Sequence, residues 1–278
     1  MPAPSPSILT RIVDKTREDL IGKKAERSEM DLLRDAQTCV RTQRLAHRIR
    51  LGSGPRIVAE FKRASPSKGR IAEASLDPVD VAVGYEKAGA AAISVLCEPH
   101  FFKGSLEDLA AIRRKVAIPL LRKDFIVDNW QVVESRVYGA DAILLIAAIL
   151  DDNALSDLSA CARDMQLDTL VEVHSEAELD RVLGLDVSPN VIGVNNRNLD
   201  TFEVSLETSK RLAAKLKTVI SISESGIKHR SDIDELEGVG YQGFLIGETF
   251  MKTADPGQAL LDIRRKIQKS TAASASTS

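Results

Sequence analysis

Beginning at Ile57, eight short runs rich in Val, Ile and Leu alternate with longer stretches of helical periodicity, and this alternation restricts the fold more than any other feature of the chain. The apolar runs fall at residues 57–62, 91–97, 119–124, 141–147, 168–173, 190–195, 218–223 and 242–246. Helical patterns lie between them at 80–88, 106–115, 129–138, 151–165, 176–183, 206–216 and 231–237, with a last one after Pro256. Strict alternation of strand and helix implies parallel strands, each returned by a crossover. The runs are almost continuously apolar, AILLIA at 142–147 most clearly, as strands buried on both faces must be. Eight such units with short connections fit a closed (β/α)8 barrel of the TIM type. An open doubly wound sheet would carry a Gly-rich fingerprint after its first strand, and none stands there.

The chain of 278 residues is therefore read as one domain. Residues 56–268 form the barrel, residues 1–55 an N-terminal helical extension capping it, and residues 269–278 a flexible low-complexity tail. Within the extension, a Pro/Ser leader precedes a helix that Ser7 caps, with Ile8, Leu9, Ile12, Val13 and Leu20 in helical register. A second helix is expected from Met30 or Asp31 into the basic segment Arg41, Arg44, His47, Arg48 and Arg50. That cluster reads either as a solvated helical face or as a contact to phosphate or nucleic acid. The 38 basic and 40 acidic residues give a net charge of −2, so no global field draws in nucleic acid or an anionic membrane, and any anion must be held locally. Three widely spaced cysteines without a metal-ligand pattern point to reduced thiols. With no apolar run near the roughly 20 residues of a membrane span, and no basic-then-apolar leader, a soluble, unexported, cytoplasmic protein is expected.

Polar residues interrupt the apolar runs at one end of the expected barrel. Side chains alternate along a strand, so Val58, Glu60 and Lys62 share a face. Burying that charge pair costs several kcal/mol, roughly, unless it is paired or put to use. The pair is either an inert buried salt bridge or part of a site. Lys123 closes the third run, Glu172 the fifth, Asn195 and Arg197 the sixth, and Glu224, Ser225 and Gly226 end the seventh. In such a barrel the C-terminal strand ends carry catalytic groups, so these residues converge on one mouth. Ser225-Gly226 and Gly247, after the last two strands, place small residues where backbone N–H groups and helix N-termini can close on a phosphate, although a glycine after a strand also serves as a plain turn.

The motifs carrying these residues are E60-F-K62-R-A-S65-P66-S67, S94-V-L-C-E-P-H-F-F-K-G-S105, L121-R-K123-D-F-I-V-D128, L170-V-E172-V, G193-V-N195-N-R197-N-L, S223-E224-S225-G226-I and F244-L-I-G247-E. Strand by strand they resemble the indole-3-glycerol-phosphate synthase family of tryptophan biosynthesis, from about Ile8 to about Ile267. The resemblance departs at Cys97, where threonine is usual, and at Glu248, where many members have serine. It implies a lyase without a cofactor that converts 1-(2-carboxyphenylamino)-1-deoxyribulose 5-phosphate to indole-3-glycerol phosphate with loss of carbon dioxide and water. Lys123, Glu172, Glu60, Lys62, Asn195 and Ser225 are the catalytic candidates it implies. Ser65, Arg197, Glu224, Gly226 and Gly247 are the candidates for holding substrate and phosphate. The implied partner is a small molecule, with other tryptophan-pathway enzymes as further candidates and neither nucleic acid nor membrane. Rival readings are another phosphate-binding barrel, such as phosphoribosylanthranilate isomerase, and a ligand-binding barrel without catalysis.

Overall fold

The computed structural model describes residues 6–39, 42–52, 54–71, 76–199 and 201–265. The start of the Pro/Ser leader, Arg41 and the 269–278 tail lie outside them. Eight parallel strands close into a barrel: β1 (Ile57–Phe61), β2 (Ala92–Leu96), β3 (Leu120–Lys123), β4 (Ala142–Ile146), β5 (Asp168–Val173), β6 (Val191–Asn195), β7 (Ser221–Glu224) and β8 (Gly243–Ile246). Each pairs with its neighbours in sequence, and β1 pairs with β8 to complete the ring, Val58 opposite Leu245.

Two apolar layers follow from the alternation of side chains. Val58, Ala92, Leu121, Ala142, Leu144, Leu170, Val191, Ile222 and Leu245 point inward and fill the barrel. Ile57, Ala59, Phe61, Ile93, Val95, Ile143 and Phe244 point outward, under a ring of helices. Those helices are α4 (Pro78–Lys87), α5 (Leu106–Arg113), α6 (Asn129–Val137), α7 (Asp152–Asp164), α8 (Glu176–Leu183), α9 (Glu207–Leu212), α10 (Arg230–Gly238) and α12 (Pro256–Arg264), with the short α11 (Glu248–Met251) just after β8. Six of them start behind a Ser or Asp whose side chain accepts the free backbone N–H groups of the first turn: Asp77, Ser105, Asp128, Asp151, Ser175 and Asp255.

The extension differs from the expected two helices. Ser7 caps α1 (Ile8–Glu26), its hydroxyl accepting the Thr10 N–H at 3.1 Å, and α2 (Glu29–Ala36) starts behind Ser28. The expected continuous second helix is instead broken after α2, and a separate α3 spans Leu45–Leu51. Carboxylates of the barrel cause the break. Asp141 accepts the Gln43 N–H at 2.6 Å, Asp168 accepts the Ala46 N–H at 2.9 Å, and Thr42 donates to the Gln166 carbonyl at 2.8 Å. Arg44 pairs with Asp168 at 2.6 Å, while His47, Arg48 and Arg50 face solvent. Of the basic segment, Arg44 therefore serves as an anchor and those three as an exposed face.

The three helices cover different parts of the barrel. Leu45 and Ile49 of α3 are fully buried at the N-terminal end, where Ile49 lies so close to Gly243 that a Cβ there would come within 3.0 Å of it. Leu32 of α2, with Leu20 of α1, packs on Trp130 and Val133 of α6. Ile8, Leu9 and Ile12 of α1 reach the opposite, C-terminal mouth.

Candidate active site

The mouth is a cavity lined by the C-terminal ends of the strands, the loops after them and the first turns of α1. Lys123, the last residue of β3, projects into it between two carboxylates. Its ammonium donates to Glu172 Oε2 of β5 at 2.7 Å and to Glu224 Oε2 of β7 at 2.6 Å. Lys62, one residue past β1, donates to Glu60 at 2.5 Å. The side chains of Glu60, Glu172 and Glu224 are 5%, 5% and 2% exposed, so the three carboxylates are held away from water, while Lys62 and Lys123 keep a partial opening to the cavity. Glu224 is the last residue of β7, and its side chain belongs with Lys123. The strand begins at Ser221, because Val219 and Ile220 lie in the turn before it, the Val219 N–H donating to Leu216 O at 3.2 Å.

The two carboxylates of Lys123 differ in their other neighbours. Burial raises the pKa of each, but Glu172 meets two cations, Lys123 and His174, and is held well below the ordinary carboxylate range. Glu224 has Lys123 alone and faces the charge of Glu172, so burial prevails and pushes it up to about 7. One of its oxygens, Oε1, is buried without a hydrogen-bond partner among the described residues. For Lys123, burial works against the charged form, and Glu172, Glu224 and Glu60 outweigh it, raising the pKa above the usual lysine range. The resting site thus contains a protonated lysine, an ionised Glu172 and a Glu224 that takes up a proton near neutrality.

Two glycines make room for these acids. A Cβ on Gly193 would stand 2.0 Å from Glu224 Oε1, and one on Gly247 would stand 2.6 Å from Glu60 Oε1. Gly247 is thus required by the approach of Glu60 as well as by any phosphate.

The other face of the mouth is built from loops. Ser225 and Gly226 are consecutive left-handed residues, φ +66° and +86°, a conformation that costs a non-glycine residue about 1–3 kcal/mol and gathers at functional sites. The buried Asn196 holds that turn. Its amide donates to Ser223 Oγ, Glu224 O and Ser225 O at 2.9, 3.0 and 3.1 Å, and its oxygen accepts the Ser209 N–H at 3.0 Å. Asn195 instead accepts the Arg197 N–H at 3.0 Å and faces the cavity. Arg197 lies 3.4 Å from Glu248, which also takes Lys252 at 2.6 Å. Burial would raise Glu248, but Lys252, Lys68 and Arg197 together lower its pKa. Three cations therefore surround a single carboxylate at this end of the mouth. Ser65 lies in a short hairpin, Ala64–Ser65 against Gly69–Arg70, at the rim. The hairpin is tied down where Ile71 N–H donates to Arg63 O at 2.8 Å and Arg63 pairs with Asp108.

Every residue singled out from the sequence, Glu60, Lys62, Ser65, Lys123, Glu172, Asn195, Arg197, Glu224, Ser225, Gly226 and Gly247, lines this one cavity. Four others belong here, three not singled out and Glu248 noted only as a departure from the family pattern. Glu98 is buried and accepts the N–H groups of His100, Phe101 and Phe102 at 2.8, 2.7 and 2.9 Å, shaping the loop that delivers Phe102 to the mouth beside Phe125. The others are Asn196, His174 and Glu248. His174 was legible as the next inward position after Glu172, and Glu248 as a charge directly after Gly247. Asn196 and Glu98 carry no comparable signal, because their partners are backbone groups that only the folded loops supply. Among the described residues, no group of His, Cys, Asp and Glu is placed to hold a metal ion.

Comparison with known proteins shows the fold and the family. Solved structures share the fold at low identity. A mutant tryptophan synthase alpha-subunit from Pyrococcus furiosus superposes with a TM-score of 0.59 at 12% identity, covering 76% of this chain and 98% of its own. At the level of sequence, indole-3-glycerol phosphate synthases of Koribacter versatilis and Polaromonas naphthalenivorans are 46% and 43% identical to it, each match covering 92% of this chain and 98% of the relative. The family described as indole-3-glycerol phosphate synthase matches residues 9–263, and the chain belongs to that family.

Proposed function

We propose that the chain closes the indole ring of 1-(2-carboxyphenylamino)-1-deoxyribulose 5-phosphate, releasing carbon dioxide and water to give indole-3-glycerol phosphate in tryptophan biosynthesis. The observation that carries this reading is Lys123, its side chain only 12% exposed, held between Glu172 and Glu224 at 2.7 and 2.6 Å. Family membership supports it over the other phosphate-binding barrels.

Ring closure joins the aromatic carbon that bears the carboxylate to the ketone carbon, and negative charge develops on the ketone oxygen. A lysine that is protonated at rest and sits in a dry site meets that charge and gives it a proton. The carboxylate then leaves as carbon dioxide, its electron pair restoring the aromatic ring. Dehydration follows, in which a base removes a proton and an acid protonates the departing hydroxyl. Glu172, ionised at rest, fits the base. Glu60 and Lys62, joined at 2.5 Å, and the protonated form of Glu224 are the further proton carriers. Glu224 is thereby moved from the anion-holding group, in which the sequence placed it, to the proton-transfer group.

Asn195 and Ser225 orient the substrate. Its phosphate binds at the end where Lys68, Arg197 and Lys252 surround Glu248, with Ser65, Gly226 and Gly247 closing on it. Arg197 suits this because its planar fork matches phosphate or carboxylate oxygens. The same reading makes residues 1–55 an extension of a barrel at 56–268, with the tail at 269–278. It makes the cytoplasm the compartment, to which the free Cys39, Cys97 and Cys161 are suited, and other tryptophan-pathway enzymes the candidate protein partners.

The test is to mix the purified protein with the carboxyphenylamino sugar phosphate and follow indole absorbance or fluorescence. Appearance of the indole product is expected. Its absence, with the protein folded, contradicts the reading.

A further inference from the structure

Glu172 is held from behind by a residue that the chemistry above does not use. His174, one residue past β5, is on the same face as Glu172 and its side chain is 11% exposed. Its Nε2 lies at an ion-pair distance of 3.3 Å from Glu172 Oε1 and makes no hydrogen bond among the described residues, so Glu172 is the carboxylate it faces. On the far side, Nδ1 lies 3.4 Å from Glu178 Oε2 in the first turn of α8, and the same oxygen accepts the His174 backbone N–H at 2.8 Å. Glu178 is itself placed by its own N–H donating to the N-cap Ser175 at 3.2 Å. The ring is therefore fixed between two carboxylates, one at each nitrogen. A neutral imidazole has one N–H and can serve only one of them, whereas the imidazolium serves both. Burial opposes the charged ring and the two acids outweigh it, raising its pKa to about 10.

This matters because Glu172 keeps one oxygen on each cation, Oε2 on Lys123 and Oε1 on His174. When Lys123 gives its proton to the ketone oxygen, Glu172 loses the charge facing Oε2. A buried carboxylate left without a cation takes up a proton rather than stay ionised, and a protonated Glu172 is no base for the dehydration that follows. We propose that His174 is a positioning residue for the second half of the reaction, keeping Glu172 ionised and oriented while Lys123 is neutral. The charged groups that face it are Glu172 on β5 and Glu178 on α8, with Lys123 and Glu224 beyond Glu172. This inference rests on the assignment of Lys123 and Glu172 to successive steps.

The experiment is a single turnover with enzyme in excess, in which carbon dioxide and indole product are measured separately in the wild type, H174Q and E178Q. Glutamine keeps a neutral N–H near the Nε2 position and removes the positive charge. In H174Q the carbon dioxide phase should stay within about threefold of wild type, while the indole phase slows by about tenfold or more, a share of what a base contributes. The acid limb of the indole phase should also move to higher pH. E178Q retains the ring and weakens its anchor, so it should show the same separation to a smaller degree, and it carries the test if H174Q does not fold. Equal slowing of both phases with an unmoved pH profile, or no separation in either variant, overturns the proposal. A wild type that releases carbon dioxide but forms no indole, or does neither, instead contradicts the assigned reaction.

Discussion

The pair of acids around Lys123 has a consequence for stability that can be read by titration. Burial first, and then the charge of Glu172, push Glu224 up to about 7 against the pull of Lys123, so folding favours its protonated form. Stability from a raised carboxyl is complete below its unfolded value of 4.5 and is lost as the pH rises through about 7. The unfolding free energy of wild type minus that of E224Q should therefore fall between pH 4.5 and 7 and level off above, a difference that denaturant titrations can follow. Glu172 is the opposite case: its depressed pKa gives stability that is present above 4.5 and lost only as the pH drops through its lower folded value. A second prediction concerns Glu248, which occupies the cluster of Lys68, Arg197 and Lys252 that the phosphate is proposed to enter. E248S removes a charge like that of the phosphate from that end, so KM should fall by about 1.5-fold to fivefold, the range of a partly solvated ion contact, with kcat little changed. A raised KM would show instead that Glu248 is needed to hold Arg197.

At the scale of elements, the extension divides its work between the two ends of the barrel. Ile8, Leu9 and Ile12 of α1 line the mouth, and Leu45 and Ile49 of α3 close the opposite end. Ile49→Ala should cost about 2–5 kcal/mol of stability, as for other buried aliphatic truncations, and leave KM unchanged below its melting temperature. Deleting residues 1–27 should instead raise KM by opening the mouth, as steady-state kinetics would show, while an unchanged KM would remove α1 from the site. Most of this element map was legible in the sequence, because buried strands alternating with amphipathic helices write their period directly into the chain. The break between α2 and α3 was not legible, since it is made by Asp141 and Asp168, about a hundred residues away in sequence. The rim hairpin at Ala64–Arg70 was visible only as a Ser-Pro-Ser turn. The inward face of β1, β3, β5 and β6 was readable by counting in twos from Glu60, Lys123, Glu172 and Asn195. The same count from Ile222 places Glu224 inward at the end of β7, although the strand starts later than the apolar Val219 and Ile220 suggest.

For the whole molecule, the barrel supplies rigid strand ends that aim five charged side chains at one cavity, and α1 covers it. A ligand that binds only the folded state should stabilise it by about 2.7 kcal/mol at a hundredfold excess over Kd. Indole-3-glycerol phosphate should therefore raise Tm, and Arg197→Gln should blunt the rise. The central claim is that Lys123 is the acid of ring closure. It is tested most directly with Lys123→Met, which keeps the length and apolar stem of the side chain and removes the proton. Substrate binding should move by less than about tenfold, or ~1.4 kcal/mol. General acid catalysis contributes a factor of about 100 to 10,000, and loss of the charge facing the ketone oxygen should place the defect at the top of that range or beyond. The decisive measurement is carbon dioxide release by this variant, because release reports ring closure before any dehydration occurs. The account predicts that almost none is seen. Release at more than about a tenth of the wild-type rate would contradict it and move the acid to Lys62.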